Sequence, residues 1–216
     1  MLSYNVRSLR DAPAAVARVV REAAPDVVCV QEAPKWWRWR SRCAALARAC
    51  DLVVIAGGLP AGHNLLLCSV SVEVADCREV LLARQSGRHQ RGLVTAECAL
   101  RGSPFRLAGA HLGLDAGERR RHIAEILSHL GNDDLPVVLG ADVNEPAGAP
   151  AWSALADRLP ECGADGGTYP AAAPARRIDA IFSSPSVGVR SAVVVDSPDV
   201  RVASDHRPVL VELDLP

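Results

Sequence analysis

PVVLGADVN (residues 136–144) is an apolar run that stops at a carboxylate, Asp142, with a side-chain amide, Asn144, two places later. A buried strand that delivers polar groups to the end of a sheet reads this way. If the chain stays extended there, Asp142 and Asn144 point in the same direction. Outward from this stretch the same ending recurs: LSYNVR stops at Asn5, DVVCVQE at Glu32, RLAGAH at His111 and RRIDAIF at Asp179, while ASDHRP carries the adjacent pair Asp205–His206. One such ending is ordinary. Repeated in nearly every strand, it predicts a single pocket rich in carboxylate, amide and imidazole, the donor set of a hard-metal, phosphate-handling site.

At 216 residues, with 49% hydrophobic content, the chain suits one domain with a substantial core. The 24 basic and 25 acidic side chains nearly cancel, which argues against holding nucleic acid by bulk charge but leaves room for a local grip on a few phosphates. The seven cysteines form no CxxC or Cys/His zinc spacing, and most lie in apolar stretches, so buried reduced thiols in a cytoplasmic protein are expected. Asn5, Arg7 and Arg10 interrupt any leader-like start, and no apolar run is long enough to span a bilayer, so no membrane association is expected.

Periodicity predicts strands at 2–6, 26–31, 52–56, 64–70, 72–82, 92–100, 105–111, 136–141, 177–182, 188–195 and 208–214. Helices are expected at 11–26, from Pro34 to about Cys50, at 117–130 and around 152–159, with a Gly/Pro/Ala-rich loop at 160–176. Hairpin-like strands mixed with helices suggest an α/β protein, two packed mixed sheets with helices outside. The chain reads as one domain over residues 1–216.

Each polar ending also has a plainer reading. The D-x-N step could be a polar turn after a buried strand, and ASDHRP a surface loop. Asp179 could fix a histidine tautomer or form a salt bridge with Arg176 or Arg177. Glu32 could be a helix-entry residue. Alone, Asn5 says nothing and His111 reads as a structural histidine; the case rests on all of them together. In PKWWRWR (34–40), Trp36, Trp39, Cys43, Leu46 and Cys50 form a helical stripe that suits a core face. Trp37 falls off that stripe and, with Arg38, is the better candidate for substrate contact. RRR (119–121) reads as a solvated helix face, and Arg91 in GRHQRG as either a phosphate contact or a loop charge.

The order Asn5, Gln31-Glu32, His111, G-x-D-x-N (140–144), Arg177-Ile178-Asp179, Ser204-Asp205-His206 resembles the endonuclease/exonuclease/phosphatase superfamily. Its members include pancreatic-type deoxyribonucleases, AP endonucleases, inositol polyphosphate 5-phosphatases and neutral sphingomyelinases. The resemblance spans residues 2–214 and implies a four-layer α/β sandwich with Mg²⁺- or Mn²⁺-dependent cleavage of a phosphoester. It implies metal ligation by Glu32, with Asn5 beside it and Asp205 contributing. Asp142 would activate water and Asn144 bind phosphate. His206 would stabilise the phosphorane or protonate the leaving oxygen, with Asp179 as its carboxylate partner, and His111 would donate to the scissile phosphate. An arginine is frequent in the family at the strand entry where Arg91 stands.

This chain departs from the pattern in several places. The first strand is cut short before Asn5, Ala141 stands where a glycine is common, and Ala180 where an aromatic often follows. Pancreatic-type deoxyribonucleases pair the equivalent of His111 with a carboxylate from an earlier strand, yet nothing acidic lies between Asp51 and Glu73 here. Three substrate readings stand open. They are a phosphodiester (nucleic acid or small diester), a phosphomonoester of a small metabolite, and a repurposed scaffold with a binding or non-hydrolytic role.

Overall fold

The computed structural model describes residues 1–131 and 134–216. Among the described residues, eleven strands form two mixed sheets. The first holds β1 (Leu2–Asn5), β2 (Val27–Gln31), β3 (Val53–Gly58), β4 (Asn64–Cys68), β10 (Gly188–Val194) and β11 (Val209–Asp214) in the order β10-β11-β1-β2-β4-β3. The second holds β5 (Val72–Leu81), β6 (Gly92–Leu100), β7 (Ser103–His111), β8 (Val137–Asp142) and β9 (Asp179–Ser183) in sequence order. Among the described strands, only β1–β2 and β7–β8 pair in parallel.

Three apolar clusters define four layers. Helices α1 (Pro13–Ala23), α2 (Trp39–Ala49) and α5 (Val200–Ala203) cover the outer face of the first sheet through Val16, Val20, Leu46 and Val200. Cys29, Leu66, Val94, Leu107, Val138 and Ile181 fill the space between the sheets. Helices α3 (Ala116–Leu130) and α4 (Pro150–Ala156) cover the second sheet through Ile123, Ile126, Trp152 and Leu155. This is the four-layer sandwich expected from the sequence. Burial of such side chains, at about 25 cal/mol per Å², is what holds the layers. Gly140 keeps them close: a Cβ there would sit 2.7 Å from the Cys29 Cβ and 3.0 Å from the Ser3 hydroxyl on the facing sheet. All seven cysteines are free and all but Cys77 are buried, as expected of small apolar fillers. Among the described residues no helix is long and apolar enough to cross a membrane.

The differences from expectation have local causes. Helix α2 starts at Trp39 rather than Pro34, because Trp36 and Arg38 take left-handed backbone (φ 75° and 60°). The apolar stripe therefore begins at Trp39, and Trp36 is 73% exposed instead of facing the core. Strand β8 ends at Asp142 and the chain turns at Asn144, whose φ is 53°, so the two side chains are not successive members of an extended strand. The Asn144 amide N–H donates to the Asp142 carboxylate at 3.0 Å, an Asx turn that makes the bend. Arg119 is not part of a solvated face, since it pairs with Glu145 at 2.6 Å. Strand β7 starts at Ser103 because Arg101 and Gly102 (φ 53° and 84°) make a tight two-residue turn.

Candidate active site

Register places the polar endings of the second sheet in one row. Gly92 lies opposite His111, His111 beside Asp142, and Asp142 opposite Asp179. The first sheet brings Asn5 to the same end, level with Gln31 and one residue short of Glu32. His206 arrives from the turn before β11, where the Ser204 hydroxyl donates to the Asn5 carbonyl at 2.7 Å and ties that turn to β1.

Asp142 is the centre. Its Oδ2 accepts from the Asn5 amide at 2.9 Å and lies 3.2 Å from His111 Nε2 and 3.9 Å from His206 Nε2. It is 1% exposed, and that burial, together with the Asp179 charge, lifts its pKa to about 7 against the pull of His206, Asn5 and the Asn144 N–H. His206 Nδ1 donates to both oxygens of Asp179, at 2.9 and 3.1 Å. Burial lowers the affinity of this ring for a proton. The charge and hydrogen bond of Asp179, with Asp142 and Asp205 behind them, outweigh it and raise the pKa to about 9. Asp179 thus partners a histidine rather than Arg176 or Arg177; Arg177 pairs with Glu161 instead.

His111 is held differently. Its Nδ1 lies 3.0 Å from Arg91 Nη1, and its Nε2 lies 2.9 Å from the Asn144 side-chain nitrogen, which also donates to the Leu112 carbonyl at 3.0 Å. Burial first, then the positive charge of Arg91, push its pKa well below the ordinary histidine value. Arg91 is itself buried, which lowers its own pKa while Asp142, Glu32 and Glu118 oppose that. So the residue opposite Nδ1, unfilled by any carboxylate in the sequence, is an arginine.

The remaining candidates lie nearer the rim. Glu32 takes left-handed backbone (φ 49°), leaves its side chain 29% exposed and meets Lys35 Nζ at 3.4 Å. Asp205 is paired with Arg7 at 3.3 Å. Trp37 is 84% exposed, with the Arg38 guanidinium 5.7 Å from its ring. Tyr169, which nothing in its own loop sequence singles out, packs at a tilt against His206, with ring centroids 4.9 Å apart and planes at 52°.

Asp142, Asp179 and His206 present ligand atoms within 4.8 Å of one another, but Asp179 and His206 are already bonded to each other. Toward a cation, Glu32 offers a carboxylate that Lys35 meets at one oxygen, and Asn5 a side-chain carbonyl that accepts the Arg7 N–H. An all-oxygen pair beside a carboxylate-rich pocket fits a hard divalent cation such as Mg²⁺ or Mn²⁺.

Residues 2–206 match the family described as "Endonuclease/Exonuclease/phosphatase family". Among solved structures, a mannosyl-6-phosphatase from Bacteroides thetaiotaomicron VPI-5482 superposes with TM-score 0.85 at 18% identity, covering 99% of this chain and 98% of that one. The human Nocturnin catalytic domain with bound sulfate gives 0.77 at 14% identity, covering 100% and 92%. TDP2 from D. rerio with a single-stranded DNA product gives 0.66 at 19%, covering 99% and 97%. Comparison with curated protein sequences returned no match.

Proposed function

This chain belongs to the endonuclease/exonuclease/phosphatase family, and from that premise and its geometry we infer that it is a divalent-metal-dependent phosphoesterase acting as a single catalytic domain. The observation that carries the inference is the convergence of Asn5, His111, Asn144 and His206 on Asp142. Asp142 accepts a proton from water as the water oxygen attacks phosphorus in line with the leaving oxygen. His206, charged and oriented by Asp179, gives its Nε2 proton to that leaving oxygen as the P–O bond breaks. His111 and the Asn144 amide donate to the phosphoryl oxygens. Glu32 and Asn5 would hold the cation, which supplies charge neutralisation at the phosphoryl group when bound. Asp205 stays on Arg7 and shapes the rim. Trp37 and Arg38, exposed on the loop that Lys35 ties to Glu32, are the proposed contacts for the part of the substrate beyond phosphorus.

A phosphodiester is the first substrate reading. A phosphomonoester of a small metabolite is the second, supported by the near-neutral charge and by the similarity to a mannosyl-6-phosphatase. Assays on bis-(p-nitrophenyl) phosphate, p-nitrophenyl phosphate and plasmid DNA, each with Mg²⁺, Mn²⁺ and EDTA, separate them. Diester turnover abolished by EDTA supports the first, and monoester turnover alone the second. Absence of metal-dependent turnover on all three would sink both and leave a binding or non-hydrolytic role. Free, mostly buried cysteines agree with a cytoplasmic setting.

A further inference from the structure

We propose that Arg91 is a positioning residue that fixes His111 as the neutral Nε2–H tautomer and so aims its one proton at Asp142 and the phosphoryl site. The argument starts from donor counts. A guanidinium offers only N–H groups, so the ring nitrogen 3.0 Å from Arg91 Nη1 must accept. A neutral imidazole that accepts at Nδ1 carries its proton at Nε2. That nitrogen lies 3.2 Å from Asp142 Oδ2, where an N–H meets a carboxylate oxygen and the other tautomer would set a lone pair against it. Protonating both nitrogens would set an imidazolium against the buried cation, so Arg91 excludes the charged ring as well.

The Asn144 nitrogen, 2.9 Å from the same Nε2, then meets a donor with a donor. A phosphoryl oxygen placed beside both nitrogens, within hydrogen-bond reach of each, would accept from both and relieve that contact. The charges of Asp142, Glu32 and buried Glu118, in that order, favour the protonated guanidinium of Arg91 against its burial. Gly113 leaves room for Glu118: a Cβ there would lie 2.0 Å from its Oε2.

This role rests on the reading of the site as a phosphoesterase only for its catalytic consequence; the tautomer itself does not depend on it. The test uses long-range ¹H–¹⁵N correlation spectra of the metal-free protein near pH 7.5, with His111 assigned by its loss in His111→Gln. The wild type should show Nε2 protonated and Nδ1 bare. Arg91→Met keeps a side chain of similar length but no donor, and should shift His111 toward the Nδ1–H form or a mixture. Its turnover should fall about 10–100-fold, chiefly in kcat, as expected for loss of the residue that orients a functional histidine. Arg91→Lys keeps a charged donor and should retain the Nε2–H signature. A thermal melt of each variant checks that the fold persists. If His111 carries its proton on Nδ1 in the wild type, or keeps the Nε2–H signature unchanged in Arg91→Met, the proposal is overturned. An increase in KM with an unmoved tautomer also overturns it, and makes Arg91 a substrate contact. Retention of the spectral result in a protein that hydrolyses no phosphoester would leave the tautomer standing and remove the functional reading instead.

Discussion

His111 and His206 are the same side chain, both buried at the same end of the molecule, and they are held in opposite states. His206 sets its Nδ1 on a carboxylate, which raises its pKa to about 9; His111 sets its Nδ1 on a guanidinium, and its pKa falls well below the ordinary value. Both nonetheless turn an Nε2–H toward Asp142 Oδ2, at 3.9 and 3.2 Å. The difference lies in what each can do with that proton. The His206 ring can release it and remain a neutral Nδ1–H imidazole on Asp179, so it can serve an acid's role. The His111 ring has only one proton and an arginine opposite, so it can donate a hydrogen bond without giving the proton up. The sign of the charge on the far nitrogen divides the labour.

The largest effects should come from removing Asp142, which both rings face, or the acid His206 itself. Asp142→Asn, and likewise His206→Ala, should lower turnover on the order of 10²–10⁴-fold while thermal melts show an intact fold; near-wild-type rates in either variant would break the comparison at its centre. Asp179→Asn should be smaller, about 10–100-fold at pH 8. Its signature is in the pH profile: the alkaline limb of activity, set near pH 9 by His206, should move down toward the ordinary histidine range. An unmoved limb would detach Asp179 from His206.

Stability carries the same sign. His206 has a folded pKa raised above its unfolded value, so its contribution is full below about pH 6.5 and is lost as pH rises toward 9. The melting temperature of the metal-free protein should therefore decline across that window, and the His206→Gln variant should decline less. Saturation with Mg²⁺ or Mn²⁺ at about 100 times its dissociation constant should stabilise the wild type by about 2.7 kcal/mol, and Glu32→Gln should lose most of that gain. The smallest effect is expected at Trp37→Ala. With 84% of the residue exposed, its loss should change stability by no more than about 0.5 kcal/mol, so any fall in turnover on ring-bearing substrates reports contact rather than folding.

Much of this was legible in the chain. Asn5, His111 and Asp142 close their strands as the apolar runs predict, because a buried run carries its own boundary, whereas Asp179 opens β9 and His206 lies in the turn before β11. What the sequence hid was pairing between endings. Arg91 and His111 are twenty positions apart and read as unrelated, yet the β6–β7 hairpin sets Gly92 opposite His111. The signal was the turn Arg101-Gly102, whose two-residue length fixes that register; Pro104 obscured it by making β7 look two residues shorter. The bend at Asn144 was hidden for a related reason, since a D-x-N step reads alike as an extended ending or an Asx turn. Tyr169 and the outward-facing Trp36 depend on loop backbone that periodicity does not reach.

The central claim is that water, activated at Asp142, attacks phosphorus in a metal-dependent reaction. Hydrolysis of bis-(p-nitrophenyl) phosphate in H₂¹⁸O with Mn²⁺ tests it most directly. The account predicts one ¹⁸O in the phosphate-bearing product, none in the released nitrophenol, and loss of the reaction with EDTA or in Asp142→Asn. Label in the nitrophenol, or turnover indifferent to both EDTA and that substitution, would contradict it.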